Sequence, residues 1–346
     1  MSKHKISGYV YTRNAVEMEY PFQECIESML SFCGQVVVAD SSNGNDDTLE
    51  KLKVMAKNDS RIDVYHVDLD WNEPNHAIFD GQMKALAREQ CTGDFLVQAD
   101  VDEIFEKNCK DKFDFVLDIC KGLQVPPLLA LPVVEYWGDN LDKVRIDVNP
   151  WKWRISRNIP NITHGIPTHL RKIENGLLYS NPGSDGCNYI FEDTGLEVPC
   201  KHFVSQTVDA YRRSAIRDES KVKEYQDWFN EAVASLPTVH HFSWFSIPRK
   251  IRQYRLFWTD FWKSMYNLER DNSNPFFNVT WDKVTEQMIE EKGKELSQKT
   301  GGWIFHNPWD GTKTNNVNLN CKPPLLIKDW CQKNTSKILT DDMFEV

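Results

Sequence analysis

Over the first 105 residues, short apolar runs alternate with segments whose apolar positions recur every three or four residues. Residues 8–12, 35–40, 62–67 and 95–99 read as strands, and residues 21–32, 47–57 and 77–90 as helices. This order predicts an α/β architecture, a mostly parallel sheet with flanking helices, because parallel strands need crossover connections. From about residue 106 to 200 the pattern is mixed. Residues 128–136 and 144–155 look extended, with a turn at Trp137-Gly-Asp-Asn between them and a loop at Asn181-Pro-Gly-Ser-Asp-Gly. Beyond residue 207 the periodicity is mainly helical, clearest over 208–234 and 247–268. Two regions are therefore expected: an α/β region over residues 1–205, and a mainly helical, Trp-rich extension over residues 206–346.

Composition narrows the possibilities. With 40% hydrophobic residues in 346, the chain can bury a core. The longest apolar stretch, residues 125–134, contains three prolines and is half the length of a membrane-spanning helix, which needs about 20 apolar residues. The first ten residues carry no secretory-type apolar stretch, so a cytoplasmic location is expected. Fifty-one acidic against 41 basic residues give a net charge of -10, which disfavours general attraction to nucleic acid or anionic membranes. The nine cysteines show no C-x-x-C pair and read as reduced structural thiols. One local exception to the acidic balance is Arg249, Lys250, Arg252 and Arg255, interleaved with Tyr254, Phe257 and Trp258. This stretch suits either a diphosphate or phosphorylated acceptor, or the solvated face of an amphipathic helix.

The polar breaks fall after the predicted strands, at Thr12-Arg13-Asn14, at Asp40-Ser41-Ser42-Asn43-Gly44 and at Asp100-Val101-Asp102-Glu103. Ligands of open α/β sheets bind outside the carboxyl ends of the strands, so these loops are expected to meet at one crevice. Carboxylates at i and i+2 ending an apolar strand repel each other unless a cation neutralises them. Mg²⁺ or Mn²⁺, held by one or two carboxylates and completed by water and phosphate, is the expected partner. The alternative is an ordinary acidic turn or helix N-terminus.

In this order and spacing, the sequence resembles the family 2 glycosyltransferases of the GT-A fold over roughly residues 8–195. The resemblance rests on Thr12-Arg-Asn14, Cys25-Ile-Glu-Ser-Met-Leu30, Val36-Val-Val-Ala-Asp40-Ser-Ser with Asp47-Thr48, and Thr92-Gly-Asp-Phe-Leu-Val-Gln-Ala-Asp-Val-Asp-Glu103. The Asp-x-Asp-Glu form is most similar to the branch containing bacterial lipopolysaccharide-core β-glucosyltransferases. Arg154-Ile-Ser-Arg157 and Gly165-Ile-Pro-Thr-His169 match that branch loosely.

The resemblance implies that Thr12, Arg13 and Asn14 line the nucleotide, that Asp40 accepts a hydrogen bond from the base, and that Asp102, alone or with Asp100, reaches the metal or ribose. An acceptor carboxylate at position 40 suits the N3–H of uracil and hence a UDP-sugar donor. It further implies a general base in Ile190-Phe-Glu192-Asp193, where Asp193 is the candidate and Asp185 and His169 are its rivals. A late histidine, His240 or His241, would be an additional metal ligand suited to Mn²⁺. The family's first loop usually reads Asn-Glu, whereas Ala15 follows Asn14 here. The expected activity is metal-dependent, inverting transfer of a hexose to an acceptor hydroxyl on a glycan, lipid-linked sugar or other molecule. A sugar nucleotidyltransferase is the rival enzyme, although the first loop lacks a Gly-rich phosphate cradle. A silent nucleotide-sugar or carbohydrate-binding module is the rival from another class.

Overall fold

The structure is a computed structural model. It describes residues 3–44, 46–74, 76–122, 128–145, 151–164, 187–190, 197–199, 218–265, 268–298, 316–318 and 320–345.

The expected α/β architecture is present. Strands β1 (Ile6–Thr12), β2 (Gln35–Asp40), β3 (Ile62–His66) and β4 (Phe95–Ala99) alternate with helices α1 (Phe22–Leu30), α2 (Thr48–Asn58) and α3 (Ile78–Glu89). Side chains of a strand alternate between faces. Accordingly Val36 and Val38 join Val10 and the Phe22, Cys25, Ile26, Met29 stripe of α1 on one side. Tyr9, Val37, Ala39 and Leu96 pack with Met83 and Ala87 of α3 on the other.

After β4 the chain forms β5 (Glu103–Phe105), α4 (Lys110–Gly122), β6 (Leu128–Trp137), β7 (Lys143–Arg145), β8 (Trp151–Arg157), β9 (Ile162–His164), β10 (Cys187–Ile190) and β11 (Glu197–Pro199). It continues through α5 (Val222–Ser235), β12 (Val239–Trp244), α6 (Ile247–Gln253), a π-helical turn (Tyr254–Trp258), α7 (Thr259–Met265), α8 (Glu286–Ser297), β13 (Asn316–Asn318) and α9 (Lys328–Lys333). The extended stretch expected over 144–155 is two separate strands. β7 pairs with β13, whereas β8 lies between β4 and β6. Of the helix expected over 208–234, only the part from residue 218 is described.

The main sheet has the order β3-β2-β1-β4-β8-β6-β12-β5. Pairing is parallel from β3 to β4, antiparallel at β4/β8 and β8/β6, parallel at β6/β12 and antiparallel at β12/β5. β12 comes from the region expected to be mainly helical, so that region also completes the sheet.

The short link from β4 to β5 dictates the sheet's shape. Four spacings of about 4.8 Å would separate these strands by about 19 Å on a flat sheet. Ala99 and Glu103 are only four residues apart, a reach of at most about 14 Å. The sheet therefore curls, and the acidic loop bridges its two arms. The six cysteines described as to state are free thiols. Among the described residues, no helix is long and apolar enough to cross a membrane.

Candidate active site

β2, β1 and β4 are adjacent and parallel, so the three polar loops leave the same end of the sheet. The first two are stitched together. Thr12 Oγ1 donates to Asp40 Oδ1 at 2.8 Å, the Asn14 N–H to Ser42 Oγ at 2.9 Å, and the Asn43 N–H to Asn14 Oδ1 at 3.0 Å. Asn14 takes the left-handed backbone (φ 43°), which Asn tolerates better than most residues, and its amide donates to Glu17 at 3.0 Å. Arg13 is clamped between two rings, its guanidinium carbon 4.4 Å from the Trp71 centroid and 4.2 Å from that of Phe257. Its Nε is buried without a hydrogen-bond partner, and burial lowers its pKa.

Asp40 is held by its own loop and by β1 and β3. It is fully buried, and its carboxylate already accepts from Thr12 Oγ1, from Ser42 Oγ at 2.7 Å and from the Ser42 N–H at 3.2 Å, while His66 Nδ1 meets it at 2.8 Å. A carboxylate offers about four acceptor positions, and all are used. Asp40 thus organises the loop.

Asp100 and Glu103 of the acidic loop are neutralised by side chains of the same chain. Arg154, on β8, donates from Nε to Glu103 Oε2 at 2.7 Å and from one Nη to Glu103 Oε1 at 2.5 Å and Asp100 Oδ2 at 2.8 Å. Lys84 lies 3.3 Å from Asp100 Oδ1 and 3.2 Å from Asp80. Burial alone would raise the Asp100 carboxyl, but Lys84 and then Arg154 hold it well below its ordinary range. The loop backbone is fixed too, with the Phe242 N–H donating to the Asp102 carbonyl at 2.8 Å.

Asp102 stands apart, because its neighbour is His241. Nε2 of the ring lies 3.2 Å from Asp102 Oδ1, and Nδ1 lies 2.6 Å from Glu135 Oε2. The register explains this arrangement: His241 is opposite Glu135 on β6 and opposite Glu103 on β5. Burial disfavours charge on the ring, but Glu135, and then Asp102 against the opposing Lys152, raise its pKa to about 9. The Asp102 carboxyl, pushed up by burial, is drawn far down by His241 and then Lys250. Lys152 approaches His241 Nδ1 at 3.1 Å. With that nitrogen donating to Glu135, this is a contact between two cations, anchored by the Lys152 ion pair to Glu103 at 3.3 Å.

His240 points the other way. Its Nδ1 meets the Tyr136 hydroxyl at 2.7 Å, and burial, with Lys112 adding to it, lowers its pKa to about 3. The structure therefore brings His241, and not His240, to the acidic loop. Asp193, Asp185 and His169 lie outside the described residues. Two surface cavities, of about 490 Å³ beside Thr259 and Trp281 and about 460 Å³ beside Ser28 and Leu325, are not lined by residues 100–103 of the acidic loop.

A divalent cation fits the Asp102–His241 pair once it displaces the Nε2 proton of the imidazolium. Two adjacent ligands of an octahedral ion at about 2.1 Å are about 3 Å apart, close to the observed separation of oxygen and nitrogen. Glu135 on the far nitrogen supplies the orienting contact that metal-bound imidazoles usually have. No group of three candidate ligands occurs among the described residues. Two protein ligands with water and substrate phosphate are a common set for Mg²⁺.

Sequence reading missed Glu135, Lys152 and His66. Glu135 is a carboxylate inside an otherwise apolar strand, and in Trp151-Lys-Trp-Arg-Ile-Ser-Arg157 the alternation puts Lys152 and Arg154 on one face. Both signals were available. His66 gave none.

No protein-family model and no curated protein sequence matches the chain. Similar solved structures include Staphylococcus aureus TarS 1-349 in complex with UDP, at 18% identity over 44% of this chain and 47% of that one (TM-score 0.30). The chain thus spans about half of that structure. The same protein in complex with UDP-GlcNAc is 15% identical over 85% and 90% (TM-score 0.32). Mannosyltransferase PcManGT from Pyrobaculum calidifontis, in complex with GDP-Man and Mn²⁺, is 20% identical over 38% and 36% (TM-score 0.27). These likenesses are remote.

Proposed function

We propose that the chain is a metal-dependent, inverting glycosyltransferase of the GT-A type, working in the cytoplasm. It would move a hexose from a nucleotide sugar, preferably a UDP-sugar, to an acceptor hydroxyl. The observation that carries this reading is Asp102 facing His241 at 3.2 Å, with Glu135 behind the imidazole, at the carboxyl end of a parallel sheet beside the stitched Thr12–Asn14 and Asp40–Asn43 loops. The glycosyltransferase-like motifs of the sequence point in the same direction.

In this reading Arg13 and Asn14 line the nucleotide, and Asp40 and Thr12 hold their loop in shape. Asp102 and His241 hold Mn²⁺ or Mg²⁺, which when bound supplies Lewis-acid stabilisation of the diphosphate. The acceptor hydroxyl attacks the anomeric carbon on the face opposite the diphosphate, and Asp193 takes its proton. Arg154, Lys84 and Lys152 keep the loop carboxylates ionised and in place. The region beyond residue 206 shapes the acceptor side.

The test is to incubate the protein with Mn²⁺ and UDP-, GDP- and CDP-sugars, following thermal stability and nucleoside diphosphate release. A ligand that binds the native state raises its apparent stability, so stabilisation by a UDP-sugar is expected. Asp193→Asn should lower turnover about 10²- to 10⁴-fold with donor affinity retained. No stabilisation by any nucleotide sugar contradicts the proposal. Loss of donor binding in Asp193→Asn would move that residue from acceptor to donor.

A further inference from the structure

The basic, aromatic stretch of residues 249–258 divides by surroundings. Arg252 pairs with Glu286 at 2.8 Å and Glu290 at 2.5 Å, and Arg255 with Glu286 at 2.8 Å, all on the outside of the molecule. Arg249 is buried and donates to the backbone carbonyls of Phe242 and Ser243 at 2.9 and 3.0 Å, a structural tie.

Lys250 fits neither pattern. It is buried, with 6% exposure, and donates to Ser243 Oγ at 2.7 Å. Its ammonium lies 5.2 Å from the Trp258 ring and 5.7 Å from that of Trp244. Among the described residues it makes no ion pair with a carboxylate, although Asp102 acts on it electrostatically from beyond that range. An ammonium has three N–H donors, and a buried cation left with one hydroxyl and two ring faces is costly.

The position is nevertheless built with care. Trp258 ends the π-helical turn, a rare geometry that recurs at functional sites, and its Nε1 donates to the Tyr20 hydroxyl at 3.0 Å. Burial lowers the ammonium to about 8, against the pull of Asp102. Lys250 reaches β12 at Ser243, two residues beyond His241, and its charge and that of Asp102 act on each other without forming an ion pair. Asp102 already has His241 at 3.2 Å, whereas an anion beside Lys250 would complete the charge pairing of that ammonium.

We propose that Lys250 is a catalytic residue that hydrogen-bonds a phosphate oxygen of the nucleoside diphosphate, across from Asp102. The inference rests on the glycosyl-transfer reading above. As the bond from the acceptor oxygen to the anomeric carbon forms, the bond from that carbon to the diphosphate oxygen breaks. The electron pair stays on the diphosphate, and the acceptor proton goes to the base. Lys250 keeps its proton and donates a hydrogen bond that strengthens as charge develops on the leaving oxygen.

The experiment compares wild type, Lys250→Met and Lys250→Arg by thermal melting and by calorimetric affinity for uridine and UDP with Mn²⁺. Methionine keeps the stem between the indoles, so Lys250→Met should melt at or above the wild-type temperature. Its UDP affinity should fall about 10- to 100-fold, the scale of a lost hydrogen bond to a charged group, with uridine affinity unchanged. Lys250→Arg should regain part of the UDP affinity. Unchanged UDP affinity in Lys250→Met overturns this inference alone. So does a lower melting temperature with equal losses for uridine and UDP, or failure of both variants to fold, since Lys250 would then be a structural counter-ion. Wild-type protein that binds neither UDP nor any nucleotide sugar overturns the glycosyl-transfer reading, and this inference with it.

Discussion

Asp40 shows at residue scale how a location can be legible in sequence when the partners are not. Its place at the end of β2 followed from the apolar run before it, whereas its partners did not. Ser42 and Thr12 lie within reach of any reader of the sequence, but His66 arrives from β3 through a register that only the folded sheet defines. A base-reading Asp40 and a loop-organising Asp40 respond differently to Asp40→Asn. An amide in place of a carboxylate with four buried contacts should lower stability by about 1–3 kcal/mol, the scale of unsatisfied or mispaired buried groups. Equal losses of affinity for UDP and CDP should accompany it, since the whole loop is disturbed. Unfolding curves and calorimetry check both, and a selective loss of UDP binding at unchanged stability would restore the base-reading role. The histidines teach the same lesson. Adjacent residues on a strand face opposite ways, so only one of His240 and His241 could reach the loop, but the choice depended on β12 lying opposite Glu135.

At the scale of elements, the parallel half of the sheet was legible because each strand is an apolar run and each helix shows one buried stripe. The antiparallel half was less so. β12 is six residues long, contains two histidines and a serine, and lies in a stretch dominated by helical periodicity, yet all six residues are buried. Its central aromatic residue is the handle for a test. Phe242 is fully buried, stacks on Tyr136 at 4.7 Å between centroids, and donates its N–H to the acidic loop. Phe242→Ala should cost about 3–5 kcal/mol, as buried Phe truncations do. Because β12 also carries His241, the variant should lose nucleotide-dependent metal affinity more steeply than an equally destabilising truncation in α1, such as Met29→Ala. Equal metal affinity in the two would separate β12 from the site.

For the whole molecule, the net charge of -10 is not concentrated at the acidic loop. Instead Asp100, Asp102, Glu103 and Glu135 lie among Arg154, Lys152, Lys84 and His241, and the curl of the sheet brings both sets together. Long-range pairing of this kind has no signature in local sequence. A site balanced by its own cations should hold a divalent ion weakly until nucleotide phosphate adds ligands and negative charge. The decisive measurement is therefore the Mn²⁺ electron paramagnetic resonance titration of the whole chain, with and without UDP, in wild type and in Asp102→Asn. The expected result is weak binding of Mn²⁺ alone, tight binding when UDP is present, and loss of that enhancement in Asp102→Asn. Enhancement by UDP that is undiminished in Asp102→Asn, or none in the wild type, would contradict a nucleotide-sugar site built on Asp102 and His241.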